Sequence, residues 1–123
     1  MRRLRSIKAL KKEAWTVFAR YIRKRDKKCV TCGGPADHAG HFQRNSERKA
    51  DLGGNELWYD PRNVNAQCMP CNHFKSGNLV AYAIYLQGLY GPDIATNLYK
   101  LWLRPKKWTR SEIESVITLY KAL

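Results

Sequence analysis

Apolar residues in the first quarter of the chain recur at helical steps of three and four, and Lys and Arg occupy the opposite face. This pattern predicts one long basic amphipathic helix that begins near Leu4 and ends near Asp26. An apolar stripe of this kind packs on the rest of a domain more readily than it stays free in water. The stripe consists of Leu10, Trp15, Phe18 and Ile22.

The following segment favours turns and a short strand. Residues 29–36, CVTCGGPA, are typical of a tight turn, because glycine and proline adopt backbone shapes that helices and strands do not use. Residues 37–42, DHAGHF, can form a short strand. Residues 43–63 are polar and are interrupted by Gly-Gly and Asp-Pro, so we expect a long loop that carries at most a weak second strand.

Helical periodicity returns after Cys71 and predicts three more helices. The first buries a face that ends before Gly91-Pro92, the second has Pro92 in its first turn, and the third begins with Thr109 and Glu112 at capping-box spacing. The predicted buried face of the first consists of Leu79, Val80, Ala83, Leu86 and Leu89/Tyr90; that of the last consists of Ile113, Val116, Ile117 and Tyr120. Together with the strands, these helices indicate a small α+β fold.

The charge of the chain is concentrated at its N-terminal end. The 123 residues carry a formal net charge of +13, and residues 1–28 hold twelve Lys/Arg against two acidic residues. A charge run can be a solvated surface, but such an asymmetric basic segment favours a polyanionic partner. No apolar run is long enough to span a membrane and no signal peptide is visible, so we expect a cytoplasmic protein without a membrane partner.

Four cysteines in two C-x-x-C pairs carry the most specific signal in the sequence. Cys29 and Cys32 form the first pair, and Cys68 and Cys71 form the second. Each pair can supply two adjacent ligands of a tetrahedral Zn²⁺, and in a chain without a secretory signal a metal site is favoured over disulfides or a redox pair. Four thiolates saturate zinc, so its role would be structural.

Two histidines and two asparagines between and beside these cysteines are candidates for other chemistry. A full set of zinc ligands leaves His38 and His41 free, and the zinc would hold Asn63 and Asn72 near the strand that carries His41. Taken alone, His41 is more often a loop or core residue than a catalyst, and His38 is a spare zinc ligand or a surface residue.

Several ordered blocks of the chain resemble a known family. CVTCG, HAGHF, DPRNVNAQCMPCN and SGNLVAYAIYLQGLYG resemble, in that order, the phage NinG/Rap recombination endonucleases, and His41, Asn63 and Asn72 between the cysteine pairs resemble the zinc-containing HNH (ββα-metal) nucleases. The resemblance covers residues 29–91. It implies a zinc-stapled ββα-metal core at 29–91, flanked by a basic helix at 1–28 and a helical pair at 92–123.

The resemblance also implies an activity and a role for each site residue. The activity is metal-dependent hydrolysis of DNA at branched recombination intermediates, such as Holliday junctions and D-loops, in the cytoplasm of a host cell. His41 would be the general base, Asn63 would orient the catalytic loop, and Asn72 would bind the catalytic Mg²⁺ or Mn²⁺. A hard cation of this kind prefers oxygen ligands and water.

The chain departs from the HNH pattern at Gly40, where the family usually has a metal-binding Asp or His before the base. Either Asp37 or His38 substitutes for that residue, or Asn72 and the substrate phosphates hold the metal with water. The same glycine favours an alternative function, a zinc-dependent DNA-binding module without catalysis. An RNA-binding zinc protein is a third hypothesis, which the His–Asn–Asn arrangement does not support.

Basic residues near the candidate site and on the first helix are candidate phosphate contacts, although solvation is the default for each. They are Arg44, Arg48, Lys49, Lys75, Arg20, Arg23 and Lys24. The apolar face of the last helix either forms a homodimer interface or completes the core of the monomer.

Overall fold

The computed structural model describes residues 4–44 and 55–123. Within these ranges the chain forms a two-stranded antiparallel sheet surrounded by helices, which confirms the α+β class. The elements are α1 (Ile7–Asp26), β1 (His38–His41), a 3-10 helix (Glu56–Tyr59), β2 (Val64–Gln67), a π-helical turn (Pro70–Phe74), α2 (Leu79–Tyr90), α3 (Ile94–Trp102) and α4 (Arg110–Lys121). In the described part of the chain, no helix is long and apolar enough to cross a membrane.

Helix α1 is part of the core and also carries the basic face. The Ser6 hydroxyl caps its first turn by accepting from the Ala9 N–H at 3.1 Å, and Phe18 and Ile22 are fully buried. They pack against buried residues of β2 and α4, with Trp15 at the edge of the same cluster. The predicted helix and its buried stripe are confirmed, and the packing joins residues 1–28 to the rest of the chain.

The strands pair so that His38 lies opposite Gln67 and His41 lies opposite Val64. Because side chains alternate along a strand, His41 and Ala39 lie on one face and His38 and Gly40 lie on the other. The second strand, β2, begins directly after residues 43–63, the segment predicted to be a long loop with at most a weak strand; residues 45–54 of that segment lie outside the described residues. The polar residues of β2 are buried and hydrogen-bonded rather than exposed. The strand therefore lacks the alternation of buried apolar and exposed polar residues by which a strand is usually recognised.

A buried polar network fastens the end of α1 to β2. The Asp26 carboxylate accepts from the Ala66 N–H at 2.8 Å, and the Arg25 guanidinium donates to Asn65 Oδ1 at 2.7 Å and to the Pro61 carbonyl at 2.9 Å. These contacts satisfy groups whose burial without partners would be costly. The loop that carries the first cysteine pair follows α1, so its first residues are held in a fixed position relative to the sheet.

Helix α2 buries only part of the face predicted for it. Leu86 of that face is fully buried, together with Tyr82, which the prediction did not include, whereas Val80 is 77% exposed and Leu89 is 56% exposed. Apolar residues stand on all sides of this helix, so periodicity alone gives no unique buried face. Tyr82 and Leu86 pack with Leu57 and with residues of α3 in a second core cluster.

Helix α4 packs on α1 and completes the first core cluster. Thr109 and Glu112 form the predicted capping box, with reciprocal bonds of 3.0 and 3.2 Å between side chain and backbone. Ile113 is fully buried, and the apolar residues of the following turns lie against the same cluster. Of the two alternatives for this face, the structure shows the contribution to the monomer core.

Tyr82 connects α2 to the strand that carries the histidines, and its removal is a test of that link. Its hydroxyl donates to the Gly40 carbonyl at 2.6 Å and accepts from Asn65 Nδ2 at 3.1 Å. We expect Tyr82→Phe to lower the free energy of unfolding by about 1–3 kcal/mol, because two buried groups lose a partner. Tyr85→Phe, on the same helix and beside the same cluster, should cost less than about 0.5 kcal/mol in urea unfolding. Equal losses would contradict this role.

Candidate functional site

The four cysteines meet at one point between the sheet and the π-helical turn. All four Sγ atoms lie within 4.8 Å of one another, and Cys32 Sγ is 3.6 Å from Cys68 Sγ. Sulfur ligands at about 2.3 Å from a tetrahedral Zn²⁺ would be separated by about 3.8 Å. The cluster that the sequence predicted is therefore present, and it can hold a metal ion such as zinc.

Backbone geometry on both sides keeps the thiols in place. The Val30 N–H donates to the Ala66 carbonyl of β2 at 3.0 Å, and the Gly33 N–H turns back to the Cys29 carbonyl at 2.8 Å. Gly33 has a φ of +80°, a conformation that side chains with a Cβ rarely adopt. On the other side, the Cys71 N–H points to Cys68 Sγ at 3.4 Å.

The electrostatics of the cluster favour loss of protons from some of its thiols. Burial raises the pKa of Cys29, but hydrogen bonds from Thr31 and from nearby backbone N–H groups outweigh it and bring that pKa to about 6. For Cys68 the Cys71 N–H lowers the pKa, but burial and hydrogen bonding to the other three sulfurs raise it to about 12. A bound dication would remove this conflict by stabilising all four thiolates at once.

His41 lies at the end of β1 against two tryptophan rings that also contact each other. Its imidazole stacks on Trp58 with centroids 4.0 Å apart and on Trp15 at 4.8 Å. His41 Nε2 is 3.1 Å from the Trp58 carbonyl oxygen. A carbonyl can only accept, so Nε2 carries the proton and Nδ1 carries the free lone pair.

The surroundings of His41 shift its pKa away from the ordinary value of about 6.5 that the sequence interpretation assumed. Burial lowers the pKa of His41, the bond to the Trp58 carbonyl opposes the shift and Arg44 adds to it, and together they bring the pKa to about 4. The side chain is 8% exposed. His41 is therefore neutral throughout the cellular pH range.

Asn63 is fully buried and connects the end of β1 to the 3-10 helix. Its Oδ1 accepts from the Gln43 N–H at 2.8 Å, and its Nδ2 donates to the Gln43 carbonyl at 3.0 Å and to the Leu57 carbonyl at 3.3 Å. Through these bonds one amide side chain fixes the backbone just beyond His41 and the segment that supplies the Trp58 carbonyl.

Asn72 lies in the π-helical turn, directly after Cys71, rather than at the start of α2. Positive φ values at Ser76, Gly77 and Asn78 separate the turn from that helix. The Asn72 side chain reaches the strand at Gly40, where a Cβ would lie 2.7 Å from Asn72 Oδ1 and 2.0 Å from Gln67 Oε1. A side chain at position 40 would therefore require both amide groups to move, because they fill the space that it would occupy.

The two proposed substitutes for the missing acid lie at the start of β1. Asp37 is exposed, and its Oδ1 is 3.8 Å from His38 Nε2. Among the described residues, the only groups of three or more His, Cys, Asp or Glu side chains placed to share a metal are the four cysteines. Asp37 and His38 thus form a pair without a third acidic, cysteine or histidine ligand.

The candidate phosphate contacts fall in different places. Arg44 donates to the Asn72 carbonyl at 2.6 Å and lies within 3.4 Å of Asn72 Oδ1, and Lys75 is exposed at the end of the same turn. Arg20 and Lys24 are exposed on α1, Lys24 beside the carbonyl of Leu123, and Arg23 is half-buried. Arg48 and Lys49 lie outside the described residues.

The sequence interpretation missed two features of the site. One is an open groove of about 1040 Å³ that is lined by Trp15 and Trp58, the two rings on His41, and by lysines of α1. The other is Gln67, whose Oε1 is the one buried side-chain N or O atom without a hydrogen-bond partner among the described residues. Basic and aromatic residues alternate along α1, and this pattern could have indicated the groove. A glutamine before a cysteine pair, in contrast, does not indicate a binding site.

The fold and the cluster define a class: a small α+β protein with a two-stranded sheet and a four-cysteine centre that can hold a metal ion. The chain belongs to the NinG family, since the family model described as "Bacteriophage Lambda NinG protein" matches residues 1–123. The match includes the N-terminal helix and the last thirty residues, for which the sequence blocks offered no resemblance.

Curated relatives agree with this assignment. The chain is 30% identical over 115 residues to Protein ninG of Escherichia phage 933W, which covers 89% of this chain and 54% of that protein. It is 30% identical to Protein ninG of Salmonella phage P22 and 29% identical to that of Escherichia phage lambda, with 53% of each covered. The chain therefore spans about half the length of these relatives. No solved structure matches it significantly.

Metal analysis of the purified chain tests the cysteine cluster. We expect one equivalent of zinc, and removal with a strong chelator should reduce helicity and lower the melting temperature, because the metal would join the loop after α1 to the turn after β2. Cys68→Ser should lose most of the zinc, whereas Ser115→Ala, far from the cluster, should keep it. A metal-free chain that melts like the zinc-loaded one would contradict the assignment.

Nitrogen-detected NMR titration tests the state of His41. We expect the Nε2–H tautomer and a pKa of about 4, below the ordinary histidine value of about 6.5. Because the folded-state pKa is below the unfolded value, this histidine stabilises the fold fully above pH 6.5 and the contribution is lost as pH falls towards 4. An Nδ1–H tautomer, or titration near pH 6.5, would contradict the geometry.

Proposed function

We propose that the chain is a metal-dependent DNA endonuclease of the HNH (ββα-metal) class that acts on branched recombination intermediates. The observation that carries this proposal is the state of His41 at the end of β1: the Trp58 carbonyl holds the proton on Nε2 and leaves the Nδ1 lone pair for a water molecule. A neutral imidazole with a fixed tautomer is suited to general-base chemistry.

The order of elements supports the same class. Two antiparallel strands are followed by a short helical turn; His41 ends β1, Asn63 directly precedes β2 and Asn72 lies in the turn. This is the arrangement that the resemblance to ββα-metal nucleases implies. Asn63 acts as a positioning residue, because its three hydrogen bonds hold the backbone on both sides of the histidine.

We assign zinc to the four cysteines and a structural role to that zinc. Four thiolates close the coordination shell, so no position is left for water or substrate. The site links the loop after α1 to the turn that carries Asn72, and zinc would therefore fix Asn72 relative to the strand. Chemistry would take place beside the cluster rather than on it.

The low pKa of His41 constrains the reaction. A base with a pKa near 4 is unprotonated at cellular pH, but its affinity for a proton is low. The attacking water must therefore be made more acidic. A bound Mg²⁺ or Mn²⁺ would supply that acidity and stabilise the leaving oxygen. We assign Asn72 Oδ1, which lies beside Gly40, as a ligand of this cation. Arg44 lies next to Asn72 and is suited to bind a phosphate oxygen of the substrate.

The substrate assignment depends on charge, shape and family. The net charge of +13 favours a polyanion, and the groove beside His41 combines lysines with Trp15 and Trp58. Basic side chains bind phosphates of any sequence, and indole rings stack on unpaired bases. Unpaired bases occur at branch points, which fits Holliday junctions and D-loops. Symmetric cutting of a junction would require two copies, and we propose a homodimer on the DNA.

The alternative is a zinc-dependent junction-binding module without catalysis. The observation that favours it is the burial of His41, which is 8% exposed and stacks against two indole rings. A buried histidine can serve as a packing residue with a satisfied nitrogen. Both functions require DNA binding, so cleavage alone distinguishes them.

Cleavage of defined DNA substrates tests the proposal. Zinc-loaded chain is incubated with four-way junction, duplex or single-stranded DNA and with Mg²⁺, Mn²⁺ or chelator. We expect metal-dependent nicking that favours the junction and leaves 5′-phosphate ends. His41→Ala and His41→Phe should reduce the rate by at least about 100-fold, since general-base catalysis contributes about 10²–10⁴, while junction binding is retained.

Two comparisons keep the result clear. His41→Phe preserves an aromatic ring against the two tryptophans, and zinc content and circular dichroism show whether each variant is folded. His73→Ala, which removes an exposed histidine from the same region, should cut like the wild type. Junction binding without nicking in either metal would establish the non-catalytic alternative, and full activity in folded His41→Phe would refute the base assignment.

A further inference from the structure

Gln67 has a buried oxygen for which the described residues supply no hydrogen-bond partner. The residue is fully buried at the end of β2, and its Nε2 donates to the Gly77 carbonyl at 2.8 Å and to Thr31 Oγ1 at 3.2 Å. Its Oε1 makes no hydrogen bond within residues 4–44 and 55–123. An unsatisfied buried oxygen costs free energy, so its position favours a bound partner.

The direction of this amide is fixed by its neighbours. The Gly77 carbonyl can only accept, so a flipped amide would place two acceptors 2.8 Å apart. Oε1 must therefore face Gly40, where a Cβ would lie 2.0 Å from it. Gln67 reaches diagonally across the sheet into the space that a side chain at position 40 would occupy.

A second oxygen points to the same place. Asn72 Oδ1 would lie 2.7 Å from that Cβ, and Arg44, which can only donate, lies 3.4 Å from this atom. A flipped Asn72 amide could instead donate to Gln67 Oε1, but it would turn an N–H group towards the guanidinium. The contact with Arg44 thus favours two amide oxygens beside one another.

We propose that Gln67 Oε1 and Asn72 Oδ1 together bind the divalent cation, with Gln67 taking the place of the acidic side chain that position 40 lacks. The inference rests on the proposed nuclease function. It assigns to Gln67 the metal-binding role for which Asp37 and His38 were the candidates from the sequence. Uncharged amide oxygens suit a hard cation but bind it weakly, so water and substrate phosphates complete the shell. Thr31 links this amide to the loop of Cys29 and Cys32, so the cysteine cluster helps to orient it.

Paramagnetic broadening by Mn²⁺ tests the site in the unaltered chain. Mn²⁺ is added to zinc-loaded protein, and the NMR signals of the Gln67 side-chain NH₂, the Gly40 N–H and the Asn72 side chain are followed. We expect these three to broaden first, and Mg²⁺ to reverse the effect by competition. Broadening centred on Asp37 and His38, or no localised broadening, would overturn the inference.

Variants supply a second readout, Mn²⁺ affinity by calorimetry. Gln67→Glu should tighten binding by about tenfold or more, because a carboxylate is a stronger ligand for a hard cation. Without Mn²⁺ this variant should melt at a lower temperature than the wild type, because the carboxylate cannot donate to the Gly77 carbonyl. Gln87→Glu adds the same charge at an exposed position of α2 and should change affinity by less than about twofold. Zinc content and melting temperature identify any variant that fails to fold. Equal effects of the two substitutions would overturn the assignment.

A double variant that moves the proposed metal ligand from β2 to β1 provides a further test. Gln67→Ala alone should lose Mn²⁺ binding, and the double variant Gly40→Asp/Gln67→Ala should regain it, because removal of the amide makes room for a carboxylate at position 40. Failure of the double variant to bind, when it is folded and zinc-loaded, would count against the shared site.

Cleavage assays separate this inference from the function on which it rests. Junction cleavage without Mn²⁺ broadening at Gln67 would refute the ligand and leave the nuclease intact. Broadening at Gln67 without cleavage would support the cation site and refute the nuclease.

Discussion

The convergence of four thiols is the constraint on which the arrangement of the site depends. One pair follows α1 and the other follows β2, so the cluster joins segments that are far apart in sequence across a sheet of only two four-residue strands. Such a sheet contributes little stability on its own. The cluster defines where the π-helical turn lies against β1, and therefore where Asn72 meets Gly40.

Buried polar side chains perform much of the positioning that a larger core would perform by packing. Asn63, Asn65 and Gln67 are fully buried on or beside β2. Asn63 fixes the backbone after His41, and Asn65 joins Arg25 to Tyr82. Satisfied amides of this kind specify one arrangement, because any displacement leaves donors or acceptors unpaired. Gln67 differs from the other two in having one oxygen without a partner among the described residues.

Features set by local chemistry were predictable from the sequence. The amphipathic period of α1, the capping box at Thr109 and the spacing of the cysteines each depend on residues close in the chain. The place of the second strand and part of the buried face of α2 were not predicted, because polar residues of β2 are buried by distant partners and α2 is apolar on every side. The role of Gly40 required coordinates, since only the positions of two amides from other elements show what a side chain there would displace.

The double role of α1 has a further consequence for the energetics of the folded state. The helix cannot separate from the domain without exposing Phe18 and Ile22, so its positive charges are held at fixed, close positions whenever the core is intact. Their mutual repulsion is then a cost of folding that counterions or a polyanion relieve. By linkage, a nucleic acid that binds this face also stabilises the fold, and the stability of the protein becomes a function of the ions around it.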